Sequence, residues 1–129
     1  MVKKILMLFL IAILSVKCSK NDNEKQNLDI NVTGKVTNQN NVGILGVNIY
    51  IERGKSGNFV GPNYTTYETL TTNADGNYSY LVKNDTYTYK ICCGIPSGYT
   101  ISGDNCKAVD HSIINSQTVP NNINFKLTQ

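Results

Sequence analysis

The strongest constraint on the fold is an alternation of apolar and polar residues with a period of two, which recurs between positions 28 and 129. In LDINVTGKVTN (28–38) and GVNIYIE (46–52), apolar residues or glycine occupy every second position. This pattern predicts β-strands with one buried face, because successive side chains of a strand point to opposite sides of the sheet. No part of this region repeats apolar residues at helical spacing, so the sequence predicts an all-β fold.

Seven strands are predicted by this alternation. They lie near residues 30–36, 46–52, 67–72, 77–82, 86–93, 108–114 and 122–127. Seven short strands separated by Gly, Asn and Asp are typical of a two-sheet, seven-stranded antiparallel β-sandwich of the immunoglobulin-like kind. The longest predicted loop, residues 54–66, is rich in Gly and Asn. We expect any recognition surface to lie there, because loops on a rigid scaffold commonly carry binding residues.

The segment TTNADGNYSY, residues 71–80, contains the clearest turn signal. A calcium loop of the EF-hand kind would need an acid where Val82 stands and a helix after it. Asp-Gly between alternating runs instead predicts a tight hairpin, with Asp75 and Gly76 in the turn and Tyr78 and Tyr80 facing inward.

The first twenty residues, MVKKILMLFLIAILSVKCSK, have the order of charge and apolarity of a secretory signal. The apolar run, residues 5–16, is shorter than the roughly 20 residues that a membrane-spanning helix needs. It ends in LSVKC, which resembles a bacterial lipobox, whose cysteine is acylated after cleavage. The resemblance implies a signal peptide over 1–17, a lipidated Cys18 with a disordered tether to residue 28, and one domain over 29–129. It also implies attachment to the outer membrane, at its surface or periplasmic face; an uncleaved signal anchor is the alternative.

The charge of the chain gives no indication of a nucleic-acid partner. Twelve Lys and Arg stand against nine Asp and Glu, but Lys3, Lys4 and Lys17 would leave with the signal peptide. Nine positive and nine negative residues would then remain, so we expect no basic face and no nucleic-acid partner.

Several motifs occur in the order seen in one known family. VTGKVTNQNNVGILGVNIYIE, TTNADGNYSYLV and DTYTYKI together resemble the carboxypeptidase regulatory-like domain. GIPSGYTISGDN is similar to a loop of collagen-adhesin B-type repeats, which share that architecture. The resemblance implies a transthyretin-like (prealbumin-like) β-sandwich that acts as a non-catalytic module.

Three cysteines remain if Cys18 carries lipid, and an oxidising compartment favours one disulfide. Alternation turns Cys93 inward with Ile91, whereas Cys92 points outward. We predict a Cys93–Cys106 bridge, with Cys92 as the alternative partner of Cys106. Metal binding by these thiols is disfavoured, because the chain lacks C-x-x-C spacing and has a single histidine.

The catalytic residue types are too sparse for an active site. His111 is the only histidine, and on a strand its neighbours Asp110 and Ser112 would face away from it, so the three cannot form a relay. We expect no enzymatic activity, no metal and no cofactor.

Two functions stay open at this stage. The first is a lipid-anchored module for adhesion, assembly or spacing, with the membrane and a surface protein or glycan as partners. The second is an accessory protein that binds a glycan or small ligand through the 54–66 loop. Tyr64 and Tyr67 at that loop, with Tyr50 pointing outward, are its candidate binding residues, because aromatic faces stack on sugars.

Overall fold

The computed structural model describes residues 28–57 and 59–129. The predicted signal peptide, Cys18 and all of the predicted tether except residue 28 lie outside this part of the chain. Within the described residues, no helix is long and apolar enough to cross a membrane.

The described residues form eleven strands and no helix. The strands are β1 (Ile30–Thr37), β2 (Asn48–Lys55), β3 (Asn63–Thr71), β4 (Asn77–Val82), β5 (Thr88–Cys93), β6 (Thr100–Ile101), β7 (Cys106–Ala108), β8 (Ile113–Ile114), β9 (Gln117–Thr118), β10 (Asn121–Asn122) and β11 (Phe125–Thr128). In sheet A, β1 lies between β4 on one side and the consecutive strands β10 and β11 on the other, and β6 pairs with β11. Sheet B has the order β3-β2-β5-β7, and β8 and β9 form a separate ribbon. The predicted all-β sandwich is confirmed.

The last part of the domain runs beside the first and in the same direction. β10 and β11 both pair with β1 in parallel, with Val32 opposite Asn121 and Val36 opposite Phe125. Between them, the amide of Ile123 donates to the carbonyl of Thr33 at 2.8 Å. The other strand pairs are antiparallel, so sheet A is mixed.

The core lies between the sheets and is filled by the apolar face of each long strand. Its most deeply buried members are Ile30, Val32, Val36, Val47, Ile49, Ile51, Val82, Tyr89, Ile91, Cys93 and Leu127. The alternation seen in the sequence thus sets the inward face, because burial of apolar side chains is the main favourable term in folding.

Gly34 makes room for the close approach of the residues between β10 and β11 to β1. A Cβ on Gly34 would overlap the carbonyl oxygen of Ile123 and the ring end of Tyr78. The Tyr78 hydroxyl donates to that same carbonyl, and burial is the main cause that raises the pKa of Tyr78. A side chain at position 34 would therefore displace both the β10–β11 segment and a buried tyrosine.

The TTNADGNYSY turn is present, but it is not a hairpin. β3 and β4 belong to different sheets, so the turn is an arch across the sandwich. Asn73 organises it: its Oδ1 accepts from the amides of Asp75 at 3.0 Å and Asn77 at 2.9 Å. Gly76 has φ +76°, a left-handed conformation that favours glycine. The sequence signal for the turn was therefore right, and the predicted pairing was wrong.

Two predicted boundaries also differ from the structure. Strands continue to Lys55 and resume at Asn63, so six of the thirteen residues of the predicted 54–66 loop are strand and the connection is only residues 56–62. The strand predicted at 108–114 is divided, since β7 ends at Ala108 and β8 begins at Ile113.

Candidate functional site

The disulfide joins Cys92 to Cys106, so the predicted Cys93–Cys106 bridge is wrong. The register of β5 and β7 places Cys92 directly opposite Cys106, with 4.0 Å between their Cα atoms. Cys93 does point into the core as predicted, and for that reason it cannot reach a partner on the outer face of the same sheet. Its thiol is free, and burial raises its pKa to about 11.

The outer face of sheet B carries two of the three candidate binding tyrosines. Tyr50 and Tyr64 both point outward, because Tyr50 alternates with the buried Ile49 and Ile51, and Tyr64 lies opposite Gly54 on the same face. The Tyr64 hydroxyl is 3.1 Å from that of Thr88.

The ring of Tyr64 already has a partner. The Lys90 ammonium lies 4.1 Å from the ring centroid, within the range of a cation–π contact. A sugar that stacked on this face of Tyr64 would have to displace Lys90.

Tyr67 does not belong to the same surface. A bulge between Ile51 and Glu52 shifts the register of β2 against β3, and the ring of Tyr67 lies against the guanidinium of Arg53, 3.9 Å away. Arg53 is on the core side of β2, opposite Tyr89, and it also contacts Tyr87 at 4.5 Å. Tyr67 therefore lies on the Arg53 side of sheet B rather than with Tyr50 and Tyr64, and it is 46% exposed. Ligand binding by Tyr50, Tyr64 and Tyr67 stays a prediction, although the structure does not bring the three together.

The hydroxyls of Tyr89 and Tyr80 are hydrogen-bonded to carboxylates. The Tyr89 hydroxyl donates to Asp85 at 2.9 Å, and the Tyr80 hydroxyl donates to Glu68 at 2.7 Å across the two sheets. Burial, followed by the bond to Asp85, raises the pKa of Tyr89 to about 12. Burial and the bond to Glu68 likewise raise the pKa of Tyr80. These tyrosines are thus held neutral, as packing residues with a satisfied hydroxyl.

Glu52 lies beside the disulfide rather than in an ion pair. Its carboxylate is within 4.8 Å of the sulfurs of Cys92 and Cys106. Lys90 stands opposite Glu52 in the ladder, but its ammonium is turned to Tyr64. The two sulfurs are bonded to each other, so they do not act as the thiolate ligands that a soft metal ion prefers.

His111 has a structural environment. Its ring stacks on Tyr89, with centroids 6.0 Å apart. The carboxylate of Asp110 accepts from the Ser112 hydroxyl at 2.6 Å and from the Ser112 amide at 2.9 Å, a local turn that leaves His111 out. Residues 109–112 are not a strand, but the trio still has none of the contacts of a catalytic relay.

An open groove of about 1110 Å³ is lined by residues of β1, β3 and β4 and of the segment that follows β9. Its lining is dominated by short hydroxyl and amide side chains, among them Thr33, Asn77, Ser79, Asn122 and Asn124, with one cation, Lys35. Sequence reasoning missed this groove because its residues are the outward, polar members of alternating strands, which look like ordinary solvent-exposed positions.

Comparison with known proteins gives a fold but no family. No family model and no curated protein matches the chain. Solved structures similar to it include the shaft pilin SpaA from Lactobacillus rhamnosus GG, with 17% identity and a TM-score of 0.55. The group B streptococcus pilus 2b backbone protein matches with 19% identity and a TM-score of 0.52, and a streptococcal ancillary pilin with 15% and 0.52.

The match extends over most of this chain and a smaller part of each neighbour. It covers 78%, 78% and 80% of this chain, against 48%, 41% and 33% of the three pilins. At this level of identity the comparison establishes a shared immunoglobulin-like sandwich. These three similar proteins are a shaft pilin, a pilus backbone protein and an ancillary pilin.

Proposed function

We propose that this chain is a lipid-anchored, non-enzymatic module of the bacterial cell envelope that serves adhesion, assembly or spacing. The observation that carries the proposal is the fold shared with pilus shaft, backbone and ancillary proteins over about four fifths of the chain. The lipobox-like LSVKC segment supports the envelope location and acylation at Cys18.

The chemistry of the described residues agrees with a structural role. His111, Asp110 and the buried tyrosines are engaged in packing or local turns, as described above. A non-enzymatic module requires a stable fold rather than reactive groups, and the interior of the sandwich is filled mainly by apolar side chains that pack together.

A finer assignment to the carboxypeptidase regulatory-like group is also proposed. Its support is positional: Gly34 and Gly76, which belong to the quoted motifs, stand where an added Cβ would overlap backbone atoms. An alignment of relatives in which these two positions accept large side chains would contradict the assignment.

The anchor and the partner can be tested on cells that produce the full chain. Radiolabelled palmitate should enter the wild type and not Cys18→Ser, and affinity capture from intact cells should recover a surface protein or glycan. Cys93→Ser serves as the matched control, because Cys93 is buried and should leave labelling unchanged. Equal labelling of Cys18→Ser and the wild type would refute acylation at that cysteine.

A second function, binding of a glycan or other polar ligand, is favoured by the groove rather than by the 54–66 loop. Hydroxyl and amide side chains can donate to and accept from a hydroxylated chain. If the groove binds, Asn124→Leu should abolish capture of a glycan on an array while Tyr64→Ala has no effect. Loss of capture in Tyr64→Ala, with capture retained in Asn124→Leu, would favour the tyrosines as the binding site.

A further inference from the structure

Strand directions place several connections at the end of the sandwich where the chain enters from its N-terminal segment. Ile30, at the start of β1, lies opposite Val82 at the end of β4. The arch from β3 to β4 lies at the opposite end of the sandwich from the start of β1. β3 therefore begins at the same end as β1, and the 56–62 connection also lies at that end. We call this the N-terminal end.

The β8–β9 ribbon lies at the N-terminal end as well. The Thr118 hydroxyl donates to the carbonyl of Asp29 at 3.1 Å, which ties the ribbon to the residue just before β1. The ribbon pairs with no other strand of the described residues. A two-stranded ribbon by itself is marginal in water, so this one depends on its surroundings.

Both connections expose large apolar side chains. Phe59 is 100% exposed and Val60 74% in the 56–62 connection, and Ile113 and Ile114 are 53% and 61% exposed in the ribbon. Exposed apolar side chains grouped on loops of a soluble domain commonly mark a contact with another surface.

The short segment between Cys18 and β1 favours the membrane as that surface, if Cys18 is anchored there. Nine residues lie between Cys18 and Leu28. The ten Cα-to-Cα steps from Cys18 to Leu28 span at most about 35 Å when fully extended and about 18 Å as a flexible coil. A strand of eight residues such as β1 is about 26 Å long. With an anchor at Cys18, the N-terminal end is the end that the tether joins, and the far end, with exposed Val42 and Leu45, lies a strand length beyond it.

We propose that the N-terminal end of the sandwich docks on the bilayer, with Phe59, Val60, Ile113 and Ile114 inserted at the boundary between headgroups and acyl chains. The inference rests on the proposed membrane anchoring. Aromatic and branched apolar side chains suit this boundary, and a few of them on projecting loops add to the hold of a lipid chain. Docking would fix the orientation of the groove and of the far end relative to the membrane.

The chain has no tryptophan, which makes a single introduced indole a clean reporter of depth. The full chain carrying Phe59→Trp is reconstituted into phosphatidylethanolamine and phosphatidylglycerol vesicles, with and without bromine on the acyl chains. Leu45→Trp, at an exposed loop position of the far end, is the matched control. Neither substitution touches the core, so folding is preserved in both.

Bromine should quench the Phe59→Trp emission several-fold more than the Leu45→Trp emission. Equal and weak quenching of the two variants in vesicle-bound protein would overturn the proposal. So would a blue-shifted Phe59→Trp emission that bromine leaves unquenched, since a protein partner or second copy would then cover the loops.

Acylation at Cys18 is tested separately from docking of the N-terminal end. If palmitate labelling shows no acyl group at Cys18 but an uncleaved signal holds the chain in the vesicles, the proposed acylation fails. The quenching comparison still decides the docking, because either attachment presents the same end of the sandwich to the bilayer.

Discussion

Reduction of the Cys92–Cys106 disulfide should lower the free energy of unfolding by about 3 kcal/mol. The two cysteines are 14 residues apart, and the chain-entropy model gives about that value for closing a loop of this size. Whole domains are typically stable by only about 5–15 kcal/mol, so the loss is large. The destabilisation should be greatest at the sheet edge formed by β7, because β7 has three residues and pairs only with β5 within the described chain.

The assay is urea unfolding of residues 28–129 with and without a phosphine reductant, followed by circular dichroism. Cys92→Ala should unfold like the reduced wild type and show no two-dalton mass increase on reduction. Cys93→Ala removes a free thiol, so it should keep both the mass increase and the sensitivity to reductant.

Two results would refute this reasoning. If Cys93→Ala abolished the mass increase and Cys92→Ala retained it, the register of β5 against β7 would be wrong. If reduction changed the free energy of unfolding by less than about 1 kcal/mol, the entropic account of the bridge would fail.

Two other predictions concern the arch and the alkaline limit of stability. Asn73→Ala should lower the free energy of unfolding by about 1 kcal/mol, because two backbone amides lose their acceptor. Asp75→Ala should change the free energy of unfolding by less than about 0.5 kcal/mol. Equal urea midpoints for the two variants would contradict the role of Asn73. Burial raises the pKa of Cys93 to about 11 and that of Tyr89 to about 12, so the folded state favours their neutral forms. The stability from these groups should be complete below about pH 9 and decline as pH rises through those pKa values. Urea midpoints between pH 8 and 12 test this, and Cys93→Ala should remove the earlier part of the decline; a profile that is flat to pH 12 would count against both shifts.

Alternation predicted the strands that have one buried face. β1, β2, β4, β5 and β11 were found because each presents apolar residues to the core at every second position. The first part of β3, residues 63–66, was missed, since it lies at a sheet edge with few buried side chains and therefore carries no periodic signal.

Pairing between segments could not be predicted from local patterns. Alternation correctly turned Cys93 inward, but the partner of Cys106 depends on how β7 docks on β5, which no neighbouring residue specifies. In the same way, Asp-Gly indicates a tight turn whether the following strand pairs with the preceding one or crosses to the other sheet.

The candidate site was the least predictable part. Tyr67 was grouped with Tyr50 and Tyr64 from its exposure in the sequence pattern, but the bulge beside Ile51 brings it against Arg53. The polar groove has no distinctive residue type, because hydroxyl and amide side chains are also the usual occupants of a solvated strand face.

The parallel pairing of β1 with β11 has a mechanical consequence. The chain enters β1 at one end of the sandwich and leaves β11 at the opposite end, with Val36 beside Phe125 and Thr37 beside Lys126. A pull along the strands between these two ends would slide β1 past β11, so their interstrand hydrogen bonds would carry the load together rather than open one after another. A domain that is held at one end and pulled at the other would therefore be loaded along the direction in which this strand pair resists separation best.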